Sequence, residues 1–168
     1  MLDRSPFWSK APDSLRGPGL MVRVLPPVPQ LMVSGDLDGF LARHALPPAG
    51  GLLAETSGSR YALRLARARM LVVGLDLLPE AAGWAKGGAT TPMTGALAVV
   101  EASGPDAMAL FARCTAVDPA ANSPSAALSF AGVTAIACRH DGALRLHLDR
   151  GLLPYLMAWI GVTDLVIP

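Results

Sequence analysis

The chain is expected to be an α+β protein built from antiparallel sheets, with helices laid against one face. Three observations carry this expectation. Leu144, Leu146 and Leu148 alternate with Arg145, His147 and Asp149, the period-2 pattern of a half-buried strand. Ala107, Leu110, Phe111 and Cys114 fall at i, i+3, i+4 and i+7, one apolar stripe of a helix. The order strand, helix, strand, strand occurs twice along the chain, each time with a further helix.

In the first repeat, Gln30–Gly35 reads as a strand and Asp36 as the N-cap of a helix carrying Leu37, Phe40 and Leu41, stopped by Pro47-Pro48. Tyr61, Leu63 and Leu65 alternate with Arg60, Ala62 and Arg64, so 60–65 is a half-buried strand. Met70–Leu75 is apolar on both faces and reads as a central strand. A short helix is expected around Leu78–Trp84, ended by Lys86-Gly87-Gly88.

The second repeat starts near Thr94, with a strand over Leu97–Ala102. Ser103 or Gly104 is expected to cap the helix, with Pro105 and Asp106 in its first turn, where proline loses no bond and an acid meets the positive helix end. Asn122–Ser125 is a loop, and strands follow at about 127–130 and 133–139. His140-Asp141-Gly142 makes a hairpin turn whose Asp-Gly favours positive φ, and a last apolar helix lies near 151–160. The expected organisation is an extended tail over 1–20 and one domain over 21–168, made of halves at about 21–90 and 91–168.

Composition limits the function classes. Hydrophobic residues make up 52% of the 168, and only 16% are charged, below the roughly 25% usual for soluble domains. A surface so poor in charge points either to partial coverage by another protein or simply to an alanine-rich composition, which also lowers the charged fraction. The net charge of +1 lacks the electrostatic footprint of a nucleic-acid binder. No apolar run reaches the roughly 18–20 residues of a membrane helix. Residues 1–19 carry Asp3, Arg4 and Lys10 and no apolar stretch of the secretory kind. With only Cys114 and Cys138, a disulfide scaffold is not expected, and the location read from these features is cytoplasmic.

Chemistry-bearing residues are sparse. His44, His140 and His147 show no metal-ligand spacing. Cys114 sits on the apolar stripe and Cys138 shares a strand face with Ile136, positions of core thiols. Asp36, Asp38 and Asp106 belong to helix starts, Asp118-Pro119 to a helix exit, and Asp141 and Asp149 to turns. Gly50-Gly51, Gly87-Gly88 and Gly132 match no nucleotide motif. Arg60, Arg64, Arg67 and Arg69 form a cluster, either a solvated strand edge and turn or a patch that pairs with acids on a partner subunit or with the glutamyl tail of a folate.

The phrase from Ala98 to Asp118, opened by Ser103-Gly104-Pro105-Asp106-Ala107 and closed by Arg113-Cys114-Thr115-Ala116-Val117-Asp118, resembles the gamma subunit of heterotetrameric sarcosine oxidase. The likeness runs on through the hairpin after Gly132 to a closing helix with Tyr155-Leu156 and Trp159. Upstream it includes Tyr61–Leu65 and Met70–Val73, so it covers about residues 22–161. The motifs are packing and capping signals; their shared order is the specific part. That family is related to the folate-binding domain of the glycine-cleavage T-protein, which implies two ferredoxin-like β-α-β-β halves with antiparallel sheets. It also implies a subunit that binds no cofactor itself. FAD, FMN, NAD and tetrahydrofolate would lie in the large subunits, among partners that are the alpha, beta and small delta subunits. The T-protein carries paired aspartates in its second-half hairpin, whereas the similar stretch here, Gly132–Ala137, has no acid. The resemblance therefore implies no catalytic or metal-binding residue in this chain, and a role in assembling a sarcosine (N-methyl amino acid) oxidase.

Expected interface residues are Phe7 and Trp8 in the tail, Tyr155 and Trp159 on the last helix, and Ile167 within the apolar C-terminus. The alternative is a free-standing folate-binding or aminomethyltransferase-like protein. It would use Glu101 for the pterin amine and Arg64 or Arg69 for the glutamyl tail.

Overall fold

A computed structural model describes residues 10–75, 83–85 and 87–166. Two antiparallel sheets lie face to face, and each carries helix on its outer side. In chain order the elements are β1 (Ser14–Gly17), β2 (Leu20–Val24), β3 (Gln30–Gly35), α1 (Leu37–Arg43), β4 (Glu55–Thr56), β5 (Tyr61–Ala66) and β6 (Arg69–Val73). They continue with β7 (Gly83–Ala85), β8 (Gly88–Pro92), β9 (Leu97–Ser103), α2 (Ala107–Cys114), β10 (Ala127–Phe130), β11 (Val133–His140) and β12 (Ala143–Asp149). A 3-10 turn over Arg150–Leu152 then leads into α3 (Leu153–Gly161).

The larger sheet runs β1-β2-β9-β12-β11-β10, and β4 prolongs the β10 edge by pairing in parallel with the end of β11. The smaller sheet runs β5-β6-β3-β8-β7. The repeat read from the sequence is visible in these orders. The first unit, β3-α1-β5-β6, lies as β5-β6-β3, and the second, β9-α2-β11-β12, lies as β11-β12-β9. Both are β-α-β-β units of an α+β fold.

Three apolar layers hold the stack together. Leu144, Leu146 and Leu148 of β12 and Val100 of β9 meet Leu110 and Phe111 of α2 and Leu156 and Ile160 of α3. The Phe111 and Phe130 rings are tilted, with centroids 6.2 Å apart, a favourable aromatic geometry. On the outer face of the smaller sheet, Leu31, Val33, Met70 and Val72 cover Leu37, Phe40 and Leu41 of α1. Between the sheets lie Tyr61, Leu63, Leu71 and Val73 from one side and Ile136 and Cys138 from the other.

Local chemistry explains most boundaries. Asp36 caps α1, its carboxylate accepting from the Gly39 amide at 2.9 Å. Asp141 and Gly142 both have positive φ (49° and 82°), the primed turn that closes β11 onto β12. Asp118 accepts from the Ala120 amide at 2.8 Å at the α2 exit.

Four expectations need correction. Ser14–Gly17, assigned to the tail, is a strand, because Pro18-Gly19 turns it back onto Leu20–Val24. Leu20–Val24 pairs with β9, so this part of the first half's sequence belongs to the second half's sheet. The helix expected at 78–84 lies mostly outside the described residues, and its end, Gly83–Ala85, is a strand paired with β8. The α2 cap position is Asp106, without a side-chain capping bond. Ser103 stays in β9, and Gly104 (φ 103°) makes the turn before the helix.

Candidate functional site

Polar side chains concentrate between the two sheets. In the larger sheet, Arg23 of β2, Glu101 of β9 and Arg145 of β12 are cross-strand neighbours in one row. Side chains at such spacing touch directly. Arg23 donates to Glu101 Oε1 at 2.6 Å and Arg145 to Oε2 at 2.7 Å. The Glu101 and Arg145 side chains are 10% and 15% exposed, while that of Arg23, toward solvent, is 55% exposed.

From Arg145 a chain of hydrogen bonds crosses to the other sheet. Arg145 donates to the Tyr61 hydroxyl at 3.4 Å, and that hydroxyl lies 3.1 Å from His147 Nε2. His147 Nδ1 lies 2.7 Å from Gln30 Oε1, and Gln30 donates onward to the Leu97 carbonyl at 3.3 Å. A neutral His147 protonated on Nδ1 satisfies every link: the arginine donates to tyrosine, tyrosine to histidine, histidine to glutamine, and glutamine to the backbone. The tautomer is assigned from this network. Buried Arg145 Nε has no partner among the described residues.

A second group sits where β4 meets β11. Thr56 Oγ1 lies 3.0 Å from His140 Nδ1 and donates to the Arg139 carbonyl at 3.0 Å, while His140 Nε2 faces Asp141 Oδ2 at 3.2 Å. This resembles a hydroxyl–histidine–carboxylate array, but the threonine hydrogen is committed to a carbonyl. The adjoining cavity, lined by Pro47, Pro48, Thr56 and Tyr61 among others, has a volume of about 150 Å³. That is below the roughly 300 Å³ at which small-molecule sites begin.

The buried titratable groups His147, Tyr61, Cys114 and Cys138 are held neutral near neutral pH. Burial, reinforced by the Arg145 charge, lowers the His147 pKa to about 3. Burial raises the Tyr61 phenol and the Cys114 thiol to about 12, and Cys138 to about 11. His140 is lowered by burial and by Arg145. A histidine base working near neutral pH needs a pKa close to 7, and a thiol nucleophile needs one shifted down. For Glu101 and Arg145 burial opposes the charge, but their mutual hydrogen bonds, with Arg23 and Tyr61, outweigh it and keep both ionised.

The structure places the expected site residues as follows. Glu101 is buried, with both oxygens held by arginines. Arg64 lies 3.8 Å from Asp38 and Arg69 is exposed, both on the smaller sheet, and neither pairs with Glu101 among the described residues. His147, on the polar face of its strand, is fully buried, because that face is covered by the second sheet. Phe7, Trp8 and Ile167 lie outside the described residues. Tyr155 is 50% exposed while its hydroxyl donates to the Ala131 carbonyl at 2.9 Å. Trp159 is partly buried on the helix-side core. Together with exposed Leu152 and Val162 they form one stripe along α3, at spacings of three, four and three residues.

Tyr155 thus combines a ring in solvent with a hydroxyl that ties α3 to the β10–β11 turn. Tyr155→Phe is expected to lower unfolding free energy by about 1 kcal/mol, read from the urea midpoint. No change would mean that the bond to Ala131 contributes nothing.

No family model matches the sequence, and no curated protein does. Among solved structures, the chain is similar to one from the heterotetrameric sarcosine oxidase of Corynebacterium sp. U-96 in complex with pyrrole 2-carboxylate. The TM-score is 0.63 and the identity 16%, over 90% of this chain and 91% of the other. The two therefore share a fold, and the near-equal coverage makes them chains of about the same length.

Proposed function

We propose that this chain is a non-catalytic, gamma-type subunit of a multisubunit flavin-dependent oxidase of sarcosine or another N-methyl amino acid. The observation that carries the reading is the end-to-end likeness in fold to a chain of a heterotetrameric sarcosine oxidase. Coverage of nine-tenths on both sides favours a whole subunit over a borrowed domain. The site geometry supports the same reading, since the polar groups between the sheets are spent on one another and their pKa shifts oppose catalysis.

In this reading FAD, FMN, NAD and tetrahydrofolate belong to the large partner subunits of a cytoplasmic alpha, beta, gamma and delta assembly. This chain supplies surface to the assembly and supports sarcosine catabolism with one-carbon transfer to tetrahydrofolate. The stripe Leu152, Tyr155, Trp159 and Val162 is one candidate contact, and Phe7, Trp8 and Ile167 are others.

The test is co-expression of the tagged chain with the large subunits and an absorption spectrum of the eluate. Flavin-coloured partners are expected, and a colourless single band overturns the proposal. Calorimetry with tetrahydrofolate separates the free-standing folate binder. That alternative requires Glu101 to exchange two guanidinium partners for a pterin, and measurable heat from the isolated chain would favour it.

A further inference from the structure

The hairpin between β5 and β6 ends in a turn that carries Arg64, Arg67 and Arg69 within six residues. The backbone there is held from three directions. The Arg64 carbonyl accepts from the Ala126 amide at 2.7 Å, and the Leu65 carbonyl from the Ser125 hydroxyl at 2.8 Å. The Arg67 carbonyl accepts from the Arg64 guanidinium at 3.2 Å, and the Ala68 carbonyl from the Gly35 amide at 3.0 Å. A register shift between Arg64 and Ala66 bends the strand into this turn. The Arg67 and Arg69 side chains are exposed and form no hydrogen bond or ion pair among the described residues. From Ser57 to Leu75 the chain has four arginines and no acid.

We infer that this arginine turn is a docking point for carboxylates on an acidic segment of a protein partner. A guanidinium fork recognises carboxylates in bidentate fashion, and a turn already fixed in place loses little entropy when it binds. The local charge sets the size of the partner's contribution. Asp38, 93% exposed, stands 3.8 Å from Arg64, and the whole chain carries only +1. A polyanion such as nucleic acid meets too few cations and an adjacent acid here, whereas a few Asp or Glu side chains match Arg67 and Arg69. The inference rests on the subunit reading, in which the acidic segment belongs to a large subunit.

The test compares wild type with Arg67→Glu/Arg69→Glu, each tagged and co-expressed with the large subunits. The charge-reversed chain is expected to fold as wild type does, with the same thermal midpoint, and to recover flavin-containing partner on the order of tenfold less efficiently. Arg67→Lys/Arg69→Lys keeps the charge but not the bidentate fork, so its recovery is expected to lie between those of wild type and the charge-reversed chain. Wild-type recovery should fall as salt rises from about 0.05 to about 0.5 M, as exposed charge pairs require. Equal recovery by the wild type and a folded charge-reversed chain overturns the inference and leaves the subunit reading intact. Should that variant misfold, wild-type recovery insensitive to salt overturns it alone. Failure of wild type to recover any partner overturns both.

Discussion

Glu101→Ala is expected to lower the unfolding free energy by about 3–5 kcal/mol, because it strands Arg145 as a charge without a counter-ion between the sheets. Arg145 is 15% exposed, and its other side-chain partner among the described residues is the Tyr61 hydroxyl. Removing the carboxylate leaves a mostly buried guanidinium whose other hydrogen bond is to Tyr61, itself linked to His147 and Gln30. Arg23→Ala is the contrasting case. Its side chain is 55% exposed and its loss leaves Glu101 paired with Arg145, so a cost of no more than about 1 kcal/mol is expected. Urea unfolding of the two variants reads the difference directly. Equal midpoints would mean that the row is solvated and that Glu101 fixes nothing. The row's value lies in specificity more than in net stability, since a buried ion pair gains little over an apolar pair of the same volume. It joins β2, β9 and β12 in one register, and through Tyr61 it also sets how the second sheet sits on the first.

The elements that the sequence announced are those with strong local signals. Asp36 before an apolar helix face, the stripe from Ala107 to Cys114, and the Asp141-Gly142 turn are each decided within about eight residues, and the structure follows them. The strands that escaped detection are short or polar and draw their stability from distant partners. Gly88–Pro92 becomes a strand because Gln30–Gly35 offers it an open edge, and Glu55–Thr56 because the end of β11 does. Helix propensity around Leu78–Trp84 likewise did not forecast that Gly83–Ala85 would pair with β8.

The seam between the sheets was half legible. Alternation in β12 correctly put Arg145 and His147 opposite the leucines, but period 2 cannot distinguish solvent from a second sheet. A signal was present elsewhere: Ile136 and Cys138 share the face of His140, and Val99 lies between Ala98 and Val100, so β11 and β9 are apolar on both sides. Strands apolar on both faces are covered on both faces. Applied to their neighbour β12, that rule buries His147 and makes Tyr61, the aromatic of the facing hairpin, its natural partner.

The same burial makes the fold acid-sensitive in a way that one substitution can isolate. His147 lies between the Tyr61 hydroxyl and Gln30, and its Nε2 accepts the only hydrogen that hydroxyl has, because the Tyr61 oxygen already receives Arg145. Protonation would turn Nε2 into a donor facing another donor, close to the Arg145 charge and to His140. The groups facing it oppose the proton as burial does, and the pKa falls to about 3. An unfolded histidine titrates near 6.5. Between these values the unfolded chain holds a proton that the native chain lacks, so stability is complete above about pH 6.5 and falls as pH drops toward 3. The slope from this group approaches about 1.4 kcal/mol per pH unit. Glu101, held below its ordinary value, adds loss of the same sign as pH falls through the usual carboxylate range and below it. The interval between pH 6 and 5 therefore belongs to the histidines. His140, also lowered, contributes there, but less, because its Nε2 faces the Asp141 carboxylate. His147→Gln can still accept from Tyr61 and donate to Gln30 while removing the titration. It is expected to start from a lower urea midpoint at pH 7 and to lose distinctly less than wild type between pH 6 and 5. Parallel losses in the two proteins would mean that His147 is protonated in the folded state, and the direction assigned to the Arg145–Tyr61–His147–Gln30 chain would then be wrong.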